Sequence, residues 1–273
     1  MNPVLTLGIS PCPNDTFIFE AWINGRLGPD APAVATRLED IDTLNRMALQ
    51  GVLDVAKVSF YAYGKLHGRY QLLQAGGALG RGCGPLLVSR SRNLSRHDLA
   101  AGRLRVAVPG DLTTGHLLLR LYAPDLQPAY SLPFDRIMPA VSRGEFDAGV
   151  IIHEGRFTYQ ACGLHVLADL GAWWESETGH PVPLGAIVAR RSLAPDLIER
   201  VEHTIRASLL HARTRPDDAR GYIRSHAQEL DEQVIARHIE LYVNSFTEDY
   251  GDEGRAAIEC LMERARTAGL FQQ

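Results

Sequence analysis

Residues 4–17 of the chain read Val4-Leu-Thr-Leu-Gly-Ile-Ser-Pro-Cys-Pro-Asn-Asp-Thr-Phe17. The run that ends at Ser10 is short and apolar, which is typical of a buried strand, and the turn after it leads into a segment with helical spacing. The same succession recurs at three other apolar runs, which are Asp54–Ser59, Leu104–Pro109 and Asp147–Ile152. Short buried strands that each lead into a helix are typical of a parallel sheet covered on both faces. The pattern therefore predicts an α/β fold.

The middle of the chain contains a glycine-rich segment, Gly76–Pro85, in which five residues are glycine. It lacks the Gly-Lys-Ser/Thr of a phosphate-binding loop and precedes a strand instead of joining a strand to a helix, so we interpret it as a hinge and turn. Further apolar runs occupy Leu86–Ser89 and Pro183–Ala189. The C-terminal third is helical by its spacing, with helical periods that begin near Pro195, Pro216, Asp231 and Asp252.

We predict a two-lobed fold in which one lobe is inserted into the other. Residues 1–90 and 190–273 form lobe one, residues 91–189 form lobe two, and two strands cross between them. A length of 273 residues agrees with two domains at roughly 150 residues each. Ligands of open α/β sheets bind beyond the carboxyl ends of the strands, and two such edges face each other across an interlobe cleft.

Composition excludes several classes of function. The net charge is −4 and no block of five or more like charges occurs, so the basic stripe that nucleic-acid binding needs is absent, whereas a small anionic substrate needs only a few local donors. No apolar run approaches the roughly 18 residues that span a bilayer, and residues 1–10 lack the features of a signal peptide, so we expect a cytoplasmic protein outside the membrane. The four cysteines are scattered, which favours reduced thiols over disulfides or a metal site. The oligomeric state is not predicted.

Polar residues follow two of the predicted strands. Asn14-Asp-Thr16 contains good helix caps, and the backbone N–H groups at a helix start attract carboxylates, so this turn is either a well-capped helix start or an anion site. Thr113-Thr-Gly115 repeats the arrangement after a second strand and offers hydroxyl and amide donors. Helix capping accounts for one of the two threonines, and the other threonine has a hydroxyl that can donate to a ligand.

Two ionisable residues stand at strand ends. Lys57 lies near the end of the run that begins at Asp54, where its ammonium either has a buried partner or extends to solvent. His153 follows a buried run and precedes Glu154, and its ordinary pKa of ~6.5 lets it accept a proton near neutrality. A histidine in this position is either a structural residue or a catalytic base. A His-Glu-x-x-His metal motif is excluded, because position 157 is phenylalanine.

Taken together, these segments resemble the 1,4-dihydroxy-6-naphthoate synthase family of the futalosine route to menaquinone. The matching motifs span most of the chain in order and are Ser10–Phe19, Leu38-Glu-Asp…Thr43-Leu-Asn45, Gly76–Gly82, Val108-Pro-Gly…Thr113-Thr114, Ile151–Tyr159 and Leu170–Trp174.

The resemblance implies a fold like that of the type II periplasmic binding proteins. It also implies that cyclic dehypoxanthine futalosine is cleaved to 1,4-dihydroxy-6-naphthoate without a cofactor. Carried over by motif, His153 is the proton acceptor. The substrate-binding residues that it implies are Lys57, Val58 and Ser59 from lobe one and Thr114 and Gly115 from lobe two, with Asn45 and Tyr242 as further candidates.

Two alternatives share this architecture. Chorismate dehydratase is a sister enzyme with an anionic substrate, but the Ile-Ile-His-Glu motif at 151–154 favours the synthase. A solute-binding protein for transport has the same fold but requires export, and we find no export signal in the sequence.

Overall fold

The computed structural model describes residues 4–126, 128–228 and 231–271, which form two mixed β-sheets and the helices that cover them. The strands are β1 (Leu5–Ile9), β2 (Val34–Leu38), β3 (Val55–Ser59), β4 (Tyr70–Leu72), β5 (Ala78–Gly80), β6 (Leu86–Ser89), β7 (Val106–Val108), β8 (Ala129–Ser131), β9 (Ala148–Ile151), β10 (His165–Asp169) and β11 (Val182–Arg190).

The helices follow the strands in the alternation that the sequence predicts. They are α1 (Pro13–Ile23), α2 (Ile41–Gln50), α3 (Phe60–Leu66), α4 (Arg96–Ala100), α5 (Thr114–Tyr122), α6 (Phe134–Arg143), α7 (Gly155–Thr158), α8 (Leu170–Thr178), α9 (Pro195–Thr214), α10 (Pro216–His226), α11 (Glu232–Tyr242), α12 (Ser245–Glu248) and α13 (Gly251–Thr267), with a 3₁₀ turn at Tyr159–Cys162. Pro195 and Pro216 stand at the first helical position, and Asp231 caps α11, which confirms the expected helix starts.

The first sheet has the strand order β2-β1-β3-β11-β4, and β5 also pairs with β11. The second sheet has the order β10-β6-β9-β7-β8. The four predicted strands are confirmed as β1, β3, β7 and β9. Parallel pairs join β1 to β2 and β3 and join β7 to β8 and β9, whereas β11 and β6 run antiparallel to their neighbours. The predicted parallel pairs are therefore joined by antiparallel ones, because the chain enters β6 and β11 from the other sheet instead of completing a βαβ unit within one sheet.

The lobe boundaries that the sequence suggested are 1–90, 91–189 and 190–273. They put β6 in lobe one and most of β11 in lobe two, and the strand pairing groups these two strands differently. Leu86 pairs with Ile151 and so places β6 in the second sheet, while Ala186 pairs with Val58 and places β11 in the first. Both runs are equally apolar, and only their pairing partners decide which sheet they join. The chain therefore changes sheet before β6 and again before β11, and the division into two hinged lobes stays a prediction.

The glycine-rich segment is more than a turn. Ala78–Gly80 forms β5 within it, and Gly84 lies where the chain passes to the second sheet. A Cβ atom added at Gly84 would lie 2.2 Å from the Cα of Gly171. Two backbones meet here at a distance that only glycine permits.

One apolar core joins the two sheets. Its fully buried members come from both, among them Val58 of β3, Leu118 of α5, Val150 of β9, Trp174 of α8 and Leu261 of α13. Residues at or just beyond the carboxyl ends of β1, β3, β7 and β9 surround a common space. Across the described ranges, no helix combines the length and apolar character that crossing a membrane requires.

Candidate active site

A cavity with about 630 Å³ of empty space, its open mouth included, lies among these carboxyl ends. It confirms the expectation of a cleft where strand ends from both sheets meet. Six of the predicted site residues contribute to its lining, and they are Lys57, Ser59, Thr114, Gly115, His153 and Tyr242. Ser10, Asn14, Asp15 and Cys83 add polar groups to the same wall.

Two predicted residues do not line the cavity. Val58 lies between Lys57 and Ser59 on β3, and because consecutive strand residues face opposite sides, its side chain packs in the apolar core. Asn45 is fully buried behind Ser59. Its amide nitrogen donates to Ser59 Oγ at 3.1 Å, and its Oδ1 accepts from the Ser59 backbone N–H at 2.9 Å. Asn45 therefore orients Ser59, whose own hydroxyl hydrogen is left to donate into the cavity.

Lys57 has a buried partner. Its Nζ lies 2.6 Å from Asp15 Oδ1, and the two side chains are 5% and 1% exposed. Asp15 also accepts from the Ser10 hydroxyl at 2.7 Å, from the Ser10 N–H at 3.2 Å and from Asn14 Nδ2 at 2.9 Å. A buried ion pair is tolerated when further hydrogen bonds satisfy it, as they do here. The alternative in which Lys57 extends to solvent is excluded.

The start of α1 differs from the expected capping arrangement. The N-cap residue is Cys12, whose side chain makes no capping hydrogen bond, and the helix begins at Pro13. Asn14 and Asp15 thus stand within the first turn and are buried. Their side chains form hydrogen bonds within the buried polar cluster around Lys57 and do not cap the helix N-terminus.

Thr114 joins the two sheets through its hydroxyl. Oγ1 accepts from the Phe60 N–H at 3.1 Å and donates to the Leu184 carbonyl at 2.6 Å. Thr113 is the N-cap of α5 and accepts from the His116 N–H. The N–H groups of Thr114 and Gly115 lie in the first turn of α5, where the helix itself supplies no acceptor. These two backbone N–H groups are therefore available to donate to an anion at the N-terminus of α5.

His153 is held in an unusual backbone conformation. Its φ is +55°, and no other non-glycine residue of the described chain has a positive φ. The ring meets Phe134 edge-on at a centroid distance of 5.2 Å, and Nδ1 lies 3.6 Å from Cys12 Sγ. Burial lowers the pKa of His153 below its ordinary value, and the charges of Glu154 and Asp15 partly oppose that shift. The imidazole is therefore neutral at pH 7 and able to accept a proton.

His238 and Tyr242 approach the cavity from α11. The Tyr242 hydroxyl donates to the Cys83 carbonyl at 3.3 Å, and burial raises the pKa of its phenol. The ring of His238 lies 4.6 Å from that of Tyr242, tilted by 47°, and stacks on that of His153 at a centroid distance of 6.3 Å. Sequence reasoning missed His238, although its spacing of four from Tyr242 places both on one face of a helix. No group of three or more His, Cys, Asp or Glu side chains among the described residues converges as a metal site requires.

The chain is similar to characterised proteins over almost its full length. A family model described as menaquinone biosynthesis matches residues 5–267. A relative from Thermus thermophilus, named 1,4-dihydroxy-6-naphthoate synthase, is 49% identical over 97% of this chain and 95% of its own length. A relative of the same name from Streptomyces coelicolor is also 49% identical, over 97% of this chain and 94% of its own.

Solved structures agree in fold. A crystal structure of an Archaeoglobus fulgidus protein has a TM-score of 0.90 and 35% identity, and the match covers 97% of this chain and 98% of that one. The alkanesulfonate-binding protein of Xanthomonas axonopodis pv. citri has a TM-score of 0.75 at 12% identity, covering 100% and 96% of the two chains. The periplasmic aliphatic sulphonate binding protein of Escherichia coli has a TM-score of 0.66 at 16% identity, covering 99% and 94%. These last two likenesses confirm the periplasmic-binding-protein-like fold and nothing beyond the fold.

The match of the family model to residues 5–267 and the 49% identity of two relatives along the whole chain lead to one conclusion. The chain belongs to the menaquinone biosynthesis family.

Proposed function

We propose that the chain is a 1,4-dihydroxy-6-naphthoate synthase, a carbon–carbon lyase that converts cyclic dehypoxanthine futalosine to 1,4-dihydroxy-6-naphthoate. The observation that supports this most is the neutral imidazole of His153 on the wall of a cavity that Lys57, Ser59 and the start of α5 also line with hydrogen-bond donors. The two relatives that are named as this synthase match the chain over the elements that build the cavity.

The substrate carboxylate is bound by donors from both sheets. The hydroxyl of Ser59 supplies one, and the backbone N–H groups of Thr114 and Gly115 supply others at the positive end of α5. Lys57 donates to Asp15 and to the Gly76 carbonyl, which leaves one ammonium hydrogen for the substrate. Since the charge of Lys57 is already balanced by Asp15, these contacts orient the carboxylate more than they neutralise it.

His153 removes a proton from the substrate. The electron pair of that C–H bond moves into the ring system, and the carbon–carbon bond to the sugar-derived fragment breaks. The fragment leaves with the electron pair of the broken bond and takes up the proton that His153 removed, so that the ring becomes an aromatic naphthalene diol. Aromatisation supplies the driving force, so that positioning and one base suffice. The strained backbone at His153 fits this role, because unusual conformations persist where the surrounding structure enforces them, often at active sites.

The test is to incubate the purified protein with cyclic dehypoxanthine futalosine and detect dihydroxynaphthoate by mass spectrometry. We expect product from the wild type and a turnover about 10²–10⁴-fold lower for His153→Ala, which is the usual contribution of a general base. His203→Ala is the matched control, because His203 is exposed on α9, and it should retain wild-type turnover. A wild type that binds the compound and releases no naphthoate would favour a binding protein instead.

A further inference from the structure

Behind His153 lie two acceptor atoms that the proposed reaction does not use. His238 Nδ1 and Glu154 Oε2 are 3.9 Å apart, and their side chains are 1% and 14% exposed. Both atoms are buried, and neither has a hydrogen-bond partner within the described chain. Buried polar atoms without partners are costly, so a pair of them facing each other indicates a specific role.

The state of His238 follows from its neighbours. Asn14 Nδ2 donates to the Asp15 carboxylate at 2.9 Å, and a carboxylate only accepts, so Asn14 turns Oδ1 towards His238. His238 Nε2 therefore carries a hydrogen and donates to that oxygen at 2.9 Å. Burial lowers the pKa of His238 well below its ordinary value, and positive charge on His153 or Lys57 lowers it further. In the neutral ring Nδ1 then has a lone pair. One proton placed between Nδ1 and Glu154 Oε2 would form a hydrogen bond between the two residues.

The two residues come from opposite sides of the cavity. His238 is on α11, which packs against α1 and β5 of the first sheet. Glu154 directly follows His153, beyond the end of β9 in the second sheet. A hydrogen bond between His238 and Glu154 would therefore tie the strained loop of His153 to the first sheet. Through Asn14 and Asp15, the same histidine also braces Lys57.

We propose that Glu154 and His238 share one proton in the working enzyme, and that the resulting hydrogen bond is a latch that positions His153 against the substrate. The proton comes from solvent, stays on the pair, and forms no bond to substrate. His238 and Glu154 are thus positioning residues. Their effect on turnover rests on the proposed function, but the latch does not.

The latch has a defined pH dependence. On the described part of the chain, the charged or titratable groups that face the pair are His153, Lys57, the Cys12 thiol and the Tyr242 phenol. Loss of the shared proton breaks the hydrogen bond, so the latch is closed while the pair holds its proton and opens when rising pH removes it. Opening releases the loop, and kcat/KM falls on the alkaline side.

Two variants separate the closed from the open latch. In Glu154→Gln the side-chain amide donates to His238 Nδ1 at every pH, so we expect the alkaline fall in kcat/KM to disappear. In His238→Gln the amide still donates to Asn14 but cannot take up the proton, so kcat should fall about tenfold at all pH values with little change in KM. Glu240→Gln is the control, because Glu240 is exposed on the same helix, and it should keep the wild-type profile.

Nitrogen NMR of labelled histidines tests the latch without substrate. We expect the Nδ1 resonance of His238 to titrate in the wild type and to be independent of pH in Glu154→Gln. A resonance that does not titrate in the wild type, or an alkaline limb that persists in Glu154→Gln, would overturn the latch. A titrating Nδ1 in a protein that makes no naphthoate would support the latch and refute the proposed function.

Discussion

The buried pair Lys57–Asp15 should make the stability of the protein depend strongly on two side chains. Lys57→Met leaves the Asp15 carboxylate with three of its four donors, namely the hydroxyl and N–H of Ser10 and the amide of Asn14. We expect this variant to lose about 3 kcal/mol of unfolding free energy, the lower end for breaking a buried pair. Asp15→Asn leaves the Lys57 ammonium without a counter-charge and turns an acceptor into a donor that faces Asn14, Lys57 or Ser10. Its loss should be larger, about 4–5 kcal/mol.

The double variant distinguishes the ion pair from the packing around it. Lys57→Met with Asp15→Asn removes both charges, so the loss should be smaller than that of Asp15→Asn alone. The measurement is urea unfolding at pH 7 followed by circular dichroism, with thermal unfolding beside it. At about 2–4 °C per kcal/mol for a chain near this size, Asp15→Asn should lower Tm by about 10 °C or more.

The surface pair Arg81–Glu253 provides the matched control. Its N–O distance is 2.7 Å, similar to that of the buried pair, but its side chains are 48% and 53% exposed. Glu253→Gln should therefore cost less than about 1 kcal/mol. Two results would refute the reasoning that the buried pair is sealed from water. One is a loss of unfolding free energy this small for Asp15→Asn, and the other is a double variant whose loss equals the sum of the two single losses.

Because burial lowers the pKa of His153, the acid-side fall of kcat/KM should lie at a pH below ~6.5; an acid limb above that value in a pH–rate profile would contradict this. Thr114→Val removes a hydroxyl that bridges two backbone groups, and steady-state kinetics should show KM rising more than kcat falls, with Thr114→Ser close to wild type. Gly84→Ala places Cβ 2.2 Å from the Cα of Gly171 and should cost about 1–3 kcal/mol or more in chemical unfolding. Gly221→Ala meets no atom within 4 Å in α10 and should be neutral or stabilising by about 0.5–1 kcal/mol. The segments that cross between the sheets should act as a hinge, so scattering should show compaction when the futalosine derivative is added to His153→Ala, and an unchanged radius of gyration would count against closure.

Much of the proposed site could be predicted because its residues lie at the ends of strands, and the apolar runs of the sequence indicate where those strands end. Ser59, Thr114 and His153 each follow or close an apolar run that folds as a strand, and the carboxyl ends of such strands meet at one edge of a sheet. Val58 shows the limit of motif matching. It belongs to the same short motif, but the two-residue period of β3 turns its side chain into the core.

The missed residues are those whose role depends on distant partners. His238 reaches Asn14 across 224 positions of sequence, and Cys12 reaches His153 across 141. Nothing in the local pattern around either residue indicates such a contact. The short strands β2, β4, β5, β8 and β10 were missed for a related reason, because segments of three to five residues become strands only when a neighbour supplies hydrogen bonds.

By itself, the sequence determined the alternation of strands and helices, the α/β class and the polar residues that follow the strands. These properties depend on the period of apolar residues and on turn chemistry, which act over a few neighbouring positions. Only the tertiary structure decided that Leu86 pairs with Ile151 in the second sheet and that Ala186 pairs with Val58 in the first. It also decided that Lys57 meets Asp15 away from water. Pairing partners and burial depend on residues that are distant in the sequence. The residues next to an apolar run or a lysine therefore do not reveal its partner.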